Sequence, residues 1–322
     1  MSKAPQSSPL TVVYVQVSAV DAGQRLDNFL MRHLKGVPRT RIYRLLRKGE
    51  VRVNKGRAKP DYRVVTGDQV RIPPVSRDEP RRDDRPLAPG LADRLEQSVL
   101  LADDDLLVLN KPAGLPVHGG SGVAVGVIEA LRKMGRGEPF LELAHRLDRE
   151  TSGCLVLARN RRALLAFHEL LRDGGIDKIY LALLVGQWQG EERRVNAGLA
   201  RHMRRDGIRR VQVDEEEGRD ADSLFIPLQR FDQATLMDVR IGTGRTHQIR
   251  VHAAHTGHPV AGDRHYGDFE CNRRLKQLGL KRQFLHARAL TFTLPCSGRT
   301  YTLEAPLEPA LAQVLERLAP LD

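Results

Sequence analysis

Residues 143–157 have the sequence LAHRLDRETSGCLVL, the most informative segment of the chain. An apolar run that ends at Leu143 leads into a polar turn, where one carboxylate, Asp148, stands between Arg146 and Arg149. A second apolar run, CLVLA, follows at once. Strand-forming runs bounded by Gly, Ser and Thr are typical of paired strands, and loops on rigid scaffolds often carry catalytic groups. The stretch therefore predicts strand, functional loop, strand; the alternative is an ordinary hairpin turn whose charges are merely solvated.

The charge of the chain is unevenly distributed. Residues 1–90 contain 19 Lys and Arg against 9 Asp and Glu, whereas the remaining residues, 91–322, contain 33 against 31, so almost all of the net charge of +12 lies in the first part. This asymmetry predicts a basic module that delivers a nearly neutral one to a polyanion. A membrane surface is the competing partner, but the sequence has no basic amphipathic helix of the required length and no apolar run that could span a bilayer.

The cysteines and the first residues bear on the compartment. Cys154, Cys271 and Cys296 are widely spaced and odd in number, a pattern that favours reduced thiols in the cytoplasm over a disulfide framework. The apolar residues near the start alternate with Tyr14, Gln16 and Ser18, which predicts a strand rather than a secretory signal.

Residues 23–72 predict a small domain of two helices and a short sheet. Apolar residues recur at helical spacing on either side of the breaker sequence Gly36-Val37-Pro38, and short β-rich segments surround two glycine-containing turns. The apolar positions of the two helices are Leu26, Phe29, Leu30 and Leu34, then Ile42, Leu45 and Leu46. The predicted strands carry Val51, Val53, Val64, Val70 and Ile72.

A dense cluster of cations lies within this small domain. From Lys35 to Arg63 there are 11 basic residues and only two acidic ones. Clustered Lys and Arg are what phosphate binding requires, and the alternative is a basic helix face that is only solvated. The candidate RNA-binding side chains are Arg39, Arg41, Arg44, Arg47, Lys48, Arg52 and Lys55.

The domain boundaries follow from composition. We expect an N-terminal strand or extension over residues 1–22, the small domain over 23–72, a linker over 73–90 and a large domain over 91–322. The linker segment mixes several prolines with arginines and aspartates, so it predicts a semi-extended tether rather than a packed core.

The sequence of the large domain predicts the α+β class. Its predicted strands do not alternate strictly with crossover helices, which favours a mixed, mainly antiparallel sheet. The predicted strands are 106–109, 155–157, 180–185 and 236–241, and the predicted helices are 126–133, 161–172 and 246–255. Residues 191–222, rich in Arg, Asp, Glu and Gly, predict an excursion at the rim of a cleft, with the acidic run 214–217 directed away from it.

Six segments, in this order, resemble the motifs of the RluA family of RNA pseudouridine synthases, which isomerise uridine within RNA. They are residues 110–118, 143–157, 178–182, 243–252, 257–263 and 285–287. The resemblance implies a pseudouridine synthase fold, a mixed sheet cut by an RNA-binding cleft, preceded by an S4-type RNA-binding domain. Residues 118–122 and the first domain are most similar to members that modify large-subunit rRNA. This implies 23S rRNA or a large-subunit precursor as partner and a monomeric enzyme.

The resemblance also implies roles for the site residues. Asp148 is the essential carboxylate, either a nucleophile at C1′ or a base that forms a glycal, and the sequence leaves both open. Arg245 is expected to pair with Asp148, and thereby to keep it ionised and oriented. Tyr180 offers a ring for uracil stacking and a phenol near C5. Arg146 shares the face of Asp148 if the segment is extended, where it can fill the stack that a flipped uridine vacates.

Isomerisation is redox-neutral, so we expect neither cofactor nor metal, and the sequence shows no phosphate-binding or dinucleotide motif. His247, His252, His255 and His258 are closely spaced but have no cysteine nearby, which disfavours zinc. His118 and His145 are expected to be structural or to contact RNA. Two other functions stay open. One is a nucleosidase-like hydrolase with Glu150 as its second carboxylate, and the other is a non-catalytic S4-type ribosome-assembly protein.

Overall fold

The chain divides into two compact units, Met1–Pro86 and Leu87–Asp322. The computed structural model describes residues 11–19, 21–34, 37, 39–75, 86–119, 125–137, 140–203 and 209–320. Most of the predicted linker, residues 76–85, and most of the predicted helix break at 36–38 lie outside these ranges. No helix in the described ranges is both long enough and apolar enough to cross a bilayer.

The first unit is two helices packed on a four-stranded antiparallel sheet of order β1-β4-β2-β3. The elements are β1 (Val13–Gln16), α1 (Leu26–His33), α2 (Arg39–Lys48), β2 (Arg52–Val53), β3 (Gly56–Arg57) and β4 (Gln69–Ile72). The predicted N-terminal strand therefore pairs with β4 of the small domain and belongs to its sheet. The sheet holds together sequence segments from both ends of this unit.

The predicted apolar faces of both helices are buried in the first unit. Leu26, Phe29 and Ile42 have no exposed surface. The buried carboxylate Asp27 accepts hydrogen bonds from the Arg25 guanidinium and, at 2.8 Å, from the Tyr43 hydroxyl. The Tyr43 bond ties α1 to α2, which fixes the two helices against each other.

The second unit contains the remaining elements. They are α3 (Leu91–Gln97), β5 (Val99–Ala102), β6 (Leu106–Lys111), α4 (Val127–Lys133), β7 (Glu142–Leu143), β8 (Ser152–Ala158), α5 (Arg161–Asp173), β9 (Asp177–Val185), β10 (Arg193–Asn196), β11 (Leu199–Met203), β12 (Arg209–Val213), β13 (Asp222–Arg230), β14 (Ala234–Ile241), α6 (Gln248–His255), α7 (Phe269–Gln277), β15 (Leu285–Leu294), β16 (Arg299–Glu304) and α8 (Pro309–Arg317).

Ten of these strands form one sheet, whose main path is β10-β13-β14-β9-β15-β8-β6-β5, with β16 beside β15 and β7 beside β8. Within the described residues every pairing of this sheet is antiparallel except β15 with β8. The predicted α+β class with a mixed, mainly antiparallel sheet is confirmed. The predicted excursion over 191–222 adds β10 to this sheet and forms the separate hairpin β11–β12.

Strand β8 explains the apolar run CLVLA. Cys154, Val156 and Ala158 face one core cluster, beneath α5, while Leu155 and Leu157 face another, beneath α4. A short continuous apolar run is the pattern of a strand that is buried on both faces. Helix α5 begins where the Asn160 side chain accepts a hydrogen bond from the Ala163 amide, a typical N-cap.

The sheet forks at β15. Its first residues pair with β8, at His286 opposite Ser152 and Ala287 opposite Gly153, whereas its later residues pair with β16. The loop before β8 therefore opens at the fork. Because β7 pairs with the far end of β8, this loop spans residues 144–151, as the strand–loop–strand pattern predicted.

Candidate active site

Asp148 lies in the loop between β7 and β8. The buried side chain of Leu147 packs into the core, so Arg146 and Asp148, one residue to either side, both line the same cavity. A turn closes behind them, because the Thr151 amide donates to the Asp148 carbonyl at 3.1 Å. The shared face expected for these two side chains is present.

A buried arginine holds the Asp148 carboxylate. Arg250 Nη1 donates to Asp148 Oδ2 at 3.1 Å, while Nε and Nη2 of the same guanidinium bind the two oxygens of Asp263 at 2.6 and 2.9 Å. Burial acts against the charge of Arg250, but the hydrogen bonds and charge of Asp263, together with Asp148, raise its pKa. Asp263 is fully buried and also accepts the amides of His265 and Tyr266. Asp148 is thus oriented by a guanidinium that two hydrogen bonds to Asp263 hold in place.

The predicted ion pair between Arg245 and Asp148 is wrong. Arg245 lies in the exposed turn before α6, where its Nε donates to the Asp220 carbonyl at 3.0 Å, and no ion pair joins it to Asp148 in the part of the chain that the structure describes. Both residues still line the smaller of two adjoining cavities. The structure therefore gives the pairing to Arg250 and leaves Arg245 at the mouth of the site.

One signal in the sequence distinguishes the two arginines. Arg250 stands in α6 between Ile249 and Val251, both of which are buried, whereas Arg245 stands in a Thr-Gly-Arg-Thr turn. An arginine inside an apolar helix is almost never buried without a partner. The run QIRVHA therefore points to a buried ion pair, which the motif resemblance alone had assigned to the wrong position.

His247 adds a second polar group beside the carboxylate. Its Nε2 lies 3.8 Å from Asp148 Oδ2, and its Nδ1 lies 2.9 Å from the Tyr266 hydroxyl. The same hydroxyl accepts the Val211 amide at 3.2 Å, so Tyr266 links the His247 ring to β12. Desolvation lowers the pKa of His247, against the opposing effect of Asp148. The ring adopts this position although His247 has a left-handed backbone, φ 57°.

Tyr180 forms a wall of the smaller cavity. This cavity has a volume of about 80 Å³, and Ile241 and Leu285 line it together with Tyr180 and Asp148. Burial, and then the charge of Asp148, raise the pKa of the Tyr180 phenol. Within the described ranges its hydroxyl has no hydrogen-bond partner. A flat ring, aliphatic neighbours and a free hydroxyl suit a planar base with polar edges.

A second cavity of about 500 Å³ adjoins the first on the other side of Asp148. Its rim is strongly basic, and the exposed side chain of Arg146 takes part in both cavities. The other cations that line it are Arg149, Arg250, Arg264, Lys281 and Arg282. Such a rim matches the charge of an RNA backbone.

Lys111 and Arg282 hold the Asp148 loop in place through hydrogen bonds. The buried Lys111, at the end of β6, donates to the carbonyls of Pro112, Leu115 and Arg149, although desolvation lowers its pKa to about 7. On the other side, Arg282 donates to the Glu150 carbonyl at 3.1 Å and to Ser152 Oγ at 2.8 Å. Sequence reasoning assigned no role to Lys111 or Arg282, although Lys111 lies in the first motif.

The histidines contact separate partners. His145 Nε2 accepts the Val156 amide at 3.0 Å, and desolvation lowers the pKa of His145 to about 4, so the neutral ring joins the loop to β8. His252 binds Ser223 and the Ala197 carbonyl, and His258 binds the Val185 carbonyl. The residues that the structure describes include no cluster of three or more metal-ligating side chains.

The candidate RNA-binding cations of the first unit lie at its surface. Arg44, Arg47, Lys48, Arg52 and Lys55 are exposed. Arg41 is half-buried, and the side chain of Arg39 lies outside what the structure describes. The exposed members of this set are therefore available to a polyanion.

The sequence is similar to known proteins over nearly its whole length. Residues 105–255 match the sequence model of the RNA pseudouridylate synthase family, and residues 24–70 match that of the S4 domain. The ribosomal large subunit pseudouridine synthase C of Escherichia coli (strain K12) is 49% identical over 312 residues, which are 96% of this chain and 97% of the relative. The protein of the same name from Pasteurella multocida (strain Pm70) is 48% identical over 309 residues, 95% and 94% of the two chains.

Two solved human structures share the fold. Human RNA Pseudouridylate Synthase Domain Containing 4 is 29% identical, with a TM-score of 0.58 over 72% of this chain and 97% of its own. Human RNA Pseudouridylate Synthase Domain Containing 1 is 24% identical, with a TM-score of 0.59 over 73% and 92%, and its likeness concerns the fold alone.

Proposed function

This chain belongs to the RluA family of RNA pseudouridine synthases and is an enzyme of that type, and from this premise we propose that it isomerises uridines in the large-subunit (23S) rRNA. The relatives named ribosomal large subunit pseudouridine synthase C align with nearly the whole chain, including both units. RNA is then its partner in the cytoplasm, bound through the S4 domain and the basic rim. The proposed enzyme acts as a monomer without nucleotide cofactor.

The observation that carries the proposed chemistry is the asymmetry of the Asp148 carboxylate. Oδ2 accepts from Arg250, whereas Oδ1 has no partner among the residues that the structure describes. Arg250 fixes the direction of the carboxylate through a charge-assisted hydrogen bond. The free oxygen is then available to the ribose, either as a nucleophile at C1′ or as a base that removes a ribose proton.

The steps balance without any added reactant. The N1–C1′ bond breaks, the uracil turns while it stays against the Tyr180 ring, C5 bonds to C1′, the proton on C5 leaves and N1 takes up a proton, so that product and substrate are isomers. We assign Tyr180 to stacking and to relaying the C5 proton, its otherwise unoccupied hydroxyl accepting that proton as it passes its own to solvent. Arg146, at the mouth, fills the space left in the RNA by the flipped uridine. Arg245 contacts phosphate rather than the carboxylate.

A hydrolase would need a second carboxylate to activate water. Glu150 is the nearest candidate in sequence, but its side chain is exposed and lies 3.6 Å from the Arg149 guanidinium. Among the described residues that line the small cavity around Tyr180, Asp148 is the one carboxylate, and Glu150 lines the larger, adjoining cavity.

The test is to map pseudouridine in 23S rRNA from cells that lack this protein, and from the same cells complemented with wild type or with Asp148→Asn. We expect specific sites to be lost, restored by wild type and not restored by Asp148→Asn. An unchanged rRNA pattern would overturn the substrate, and release of free uracil in vitro would show hydrolysis instead. Restoration by Asp148→Asn would show that the carboxylate is dispensable, as for an assembly protein.

A further inference from the structure

The outer face of the sheet in the first unit carries one row of side chains across all four strands. Tyr14 of β1 lies opposite Arg71 of β4, Arg71 lies opposite Arg52 of β2, and Arg52 lies opposite Arg57 of β3. Directly opposite residues of antiparallel strands point to the same face of a sheet. With strands about 4.8 Å apart, this Tyr–Arg row is roughly 14 Å long.

The row points away from the core. The neighbouring positions Val15, Val70 and Val53, which alternate with it along the strands, pack into the hydrophobic cluster beneath the helices. Tyr14 is 59% exposed, Arg52 and Arg57 are exposed, and Arg71 is half-buried. The row is therefore a free surface of this unit.

The charges of the row are not compensated by the protein. Within the described ranges no carboxylate forms an ion pair with Arg52, Arg57 or Arg71; the guanidinium of Arg71 binds only the backbone carbonyl of Glu50. The Glu50 carboxylate itself lies 4.0 Å from Lys48. Like charges placed opposite each other across strands destabilise a sheet. An anion bound across the three arginines would offset this repulsion.

The turn beside the row is fixed in place. Asn54 and Lys55 both have positive φ, 48° and 69°, as a two-residue turn between β2 and β3 requires. The Asn54 side chain then donates to Asp68 Oδ1 at 2.7 Å and accepts the Gln69 amide at 2.9 Å. These bonds hold the hairpin against β4. Lys55, Lys48 and Gln69 therefore line the same concave surface as Tyr14, Arg52 and Arg71 of the row.

We propose that the Tyr–Arg row binds a single-stranded segment of the RNA substrate. An exposed aromatic ring beside clustered arginines is the combination that binds unpaired nucleic acid, because a base stacks on the ring while phosphates pair with the cations. In a duplex the bases are already stacked, so Tyr14 has nothing to engage. The inference rests on the proposed function for its RNA partner. It adds a second surface to the cations of α2, and Tyr14 lies outside the residues 24–70 that match the S4 domain.

The test uses the full chain and a short, labelled, uridine-rich RNA, single-stranded or annealed to its complement. Tyr14→Thr and Tyr14→Phe form a matched pair, since both keep a strand-forming residue but only Phe keeps the ring. We expect Tyr14→Thr to bind the single strand about 10-fold more weakly, with Tyr14→Phe unchanged and duplex binding unaffected by either. Circular dichroism and thermal melting confirm that each variant is folded.

The arginines give an independent readout. Replacing Arg52 and Arg71 by Gln should lower the slope of log affinity against log salt for the single strand by about 0.7 per lost phosphate contact. Tyr14→Thr should leave this slope unchanged, and Lys59→Gln, an exposed cation outside the sheet, serves as the charge control. Equal binding by Tyr14→Thr and wild type, or an equal loss for single strand and duplex, would overturn the proposal.

Binding and turnover are measured separately, so the two proposals can fail separately. If wild type forms pseudouridine in 23S rRNA while Tyr14→Thr binds normally, the row is not an RNA site and the function stands. If Tyr14→Thr loses single-strand affinity while the rRNA pattern of the deletion strain is unchanged, the row binds RNA and the assigned substrate is wrong.

Discussion

Arg250 Nη1 lies 3.1 Å from Asp148 Oδ2, although the two residues are 102 positions apart in the chain. The guanidinium is 6% exposed and the carboxylate 21%, so the pair is formed at the boundary between the core and the cleft. The other carboxylate oxygen, Oδ1, has no partner among the described residues, so it is available to react with the substrate.

The first prediction concerns that oxygen. Asp148→Asn keeps the shape of the side chain but removes its charge, and we expect turnover to fall by at least about 10²-fold. RNA affinity should stay close to that of wild type, because the basic surfaces are untouched. Single-turnover assays beside equilibrium titrations measure both, and residual activity of more than a few per cent would refute the assigned role.

The second prediction separates the two arginines. Arg250→Lys keeps a positive charge but loses the planar guanidinium that binds the carboxylates of Asp263 and Asp148 at the same time. The Asp148 carboxylate would then be misplaced, and we expect kcat to fall by about 10²-fold. Arg245→Lys is the matched control, and its effect should appear in KM, with kcat nearly unchanged. A large loss of kcat in Arg245→Lys with a mild one in Arg250→Lys would return the pairing role to Arg245.

The third prediction tests the two parts of Tyr180. Tyr180→Phe keeps the ring and loses the hydroxyl, so RNA affinity should persist while the rate falls by about 10²-fold, the usual size of a lost proton transfer. Tyr180→Leu should also weaken binding of the flipped base, since stacking on an aromatic ring stabilises it by about 1–3 kcal/mol. If Tyr180→Phe is as fast as wild type, the proton on C5 leaves by another route.

The fourth prediction concerns pH. Desolvation lowers the pKa of His145 from 6.5 to about 4, so the His145 ring is neutral in the folded protein. Between these two values the unfolded chain takes up a proton that the folded chain does not, and stability must fall as the pH falls from 6.5 towards 4. His145→Gln keeps an acceptor for the Val156 amide but cannot titrate. Urea denaturation at pH 7 and pH 4.5 should therefore show a smaller loss in the variant, and equal losses would contradict a neutral buried His145.

The fifth prediction concerns the units. Deleting residues 1–86, the first unit, removes most of the net positive charge but none of the residues around Asp148. The remainder should fold and modify short RNA, with weaker affinity for rRNA and a shallower salt dependence, because fewer counterions are released. An unchanged salt slope would show that the S4 domain and its Tyr–Arg row contribute little to RNA binding.

The local spacing of apolar residues predicted most of the strands and helices that form the site. Strands β6, β8, β9 and β14 and helices α4, α5 and α6 all lie at the predicted positions, within a few residues at their ends. The cause is that each is buried on one or both faces, so its apolar spacing is strict. Helices α7 and α8 were not predicted from the sequence, although α8 buries Leu311 and Val314 at helical spacing.

Long-range pairing was beyond what spacing can predict. The position of Arg250 depends on Asp263 and on the approach of α6 to the Asp148 loop, and neither can be read from residues 243–252 alone. The row on the first sheet depends in the same way on the register of Tyr14 against Arg71, which brings the two ends of the first unit together. In both cases the residue types were visible, but their neighbours came from distant segments.

The parallel pairing of β15 with β8 has a consequence for synthesis. Gly153, at φ 111°, packs so closely on Ala287 that a Cβ there would lie 2.2 Å from the Ala287 carbonyl oxygen. Thr151 and Ser152 are held by Gln283, Arg282 and His286. The loop that carries Asp148 is therefore incomplete until the ribosome has made the last quarter or so of the chain. A nascent chain that already displays a folded S4 domain can bind RNA while it is still unable to modify it.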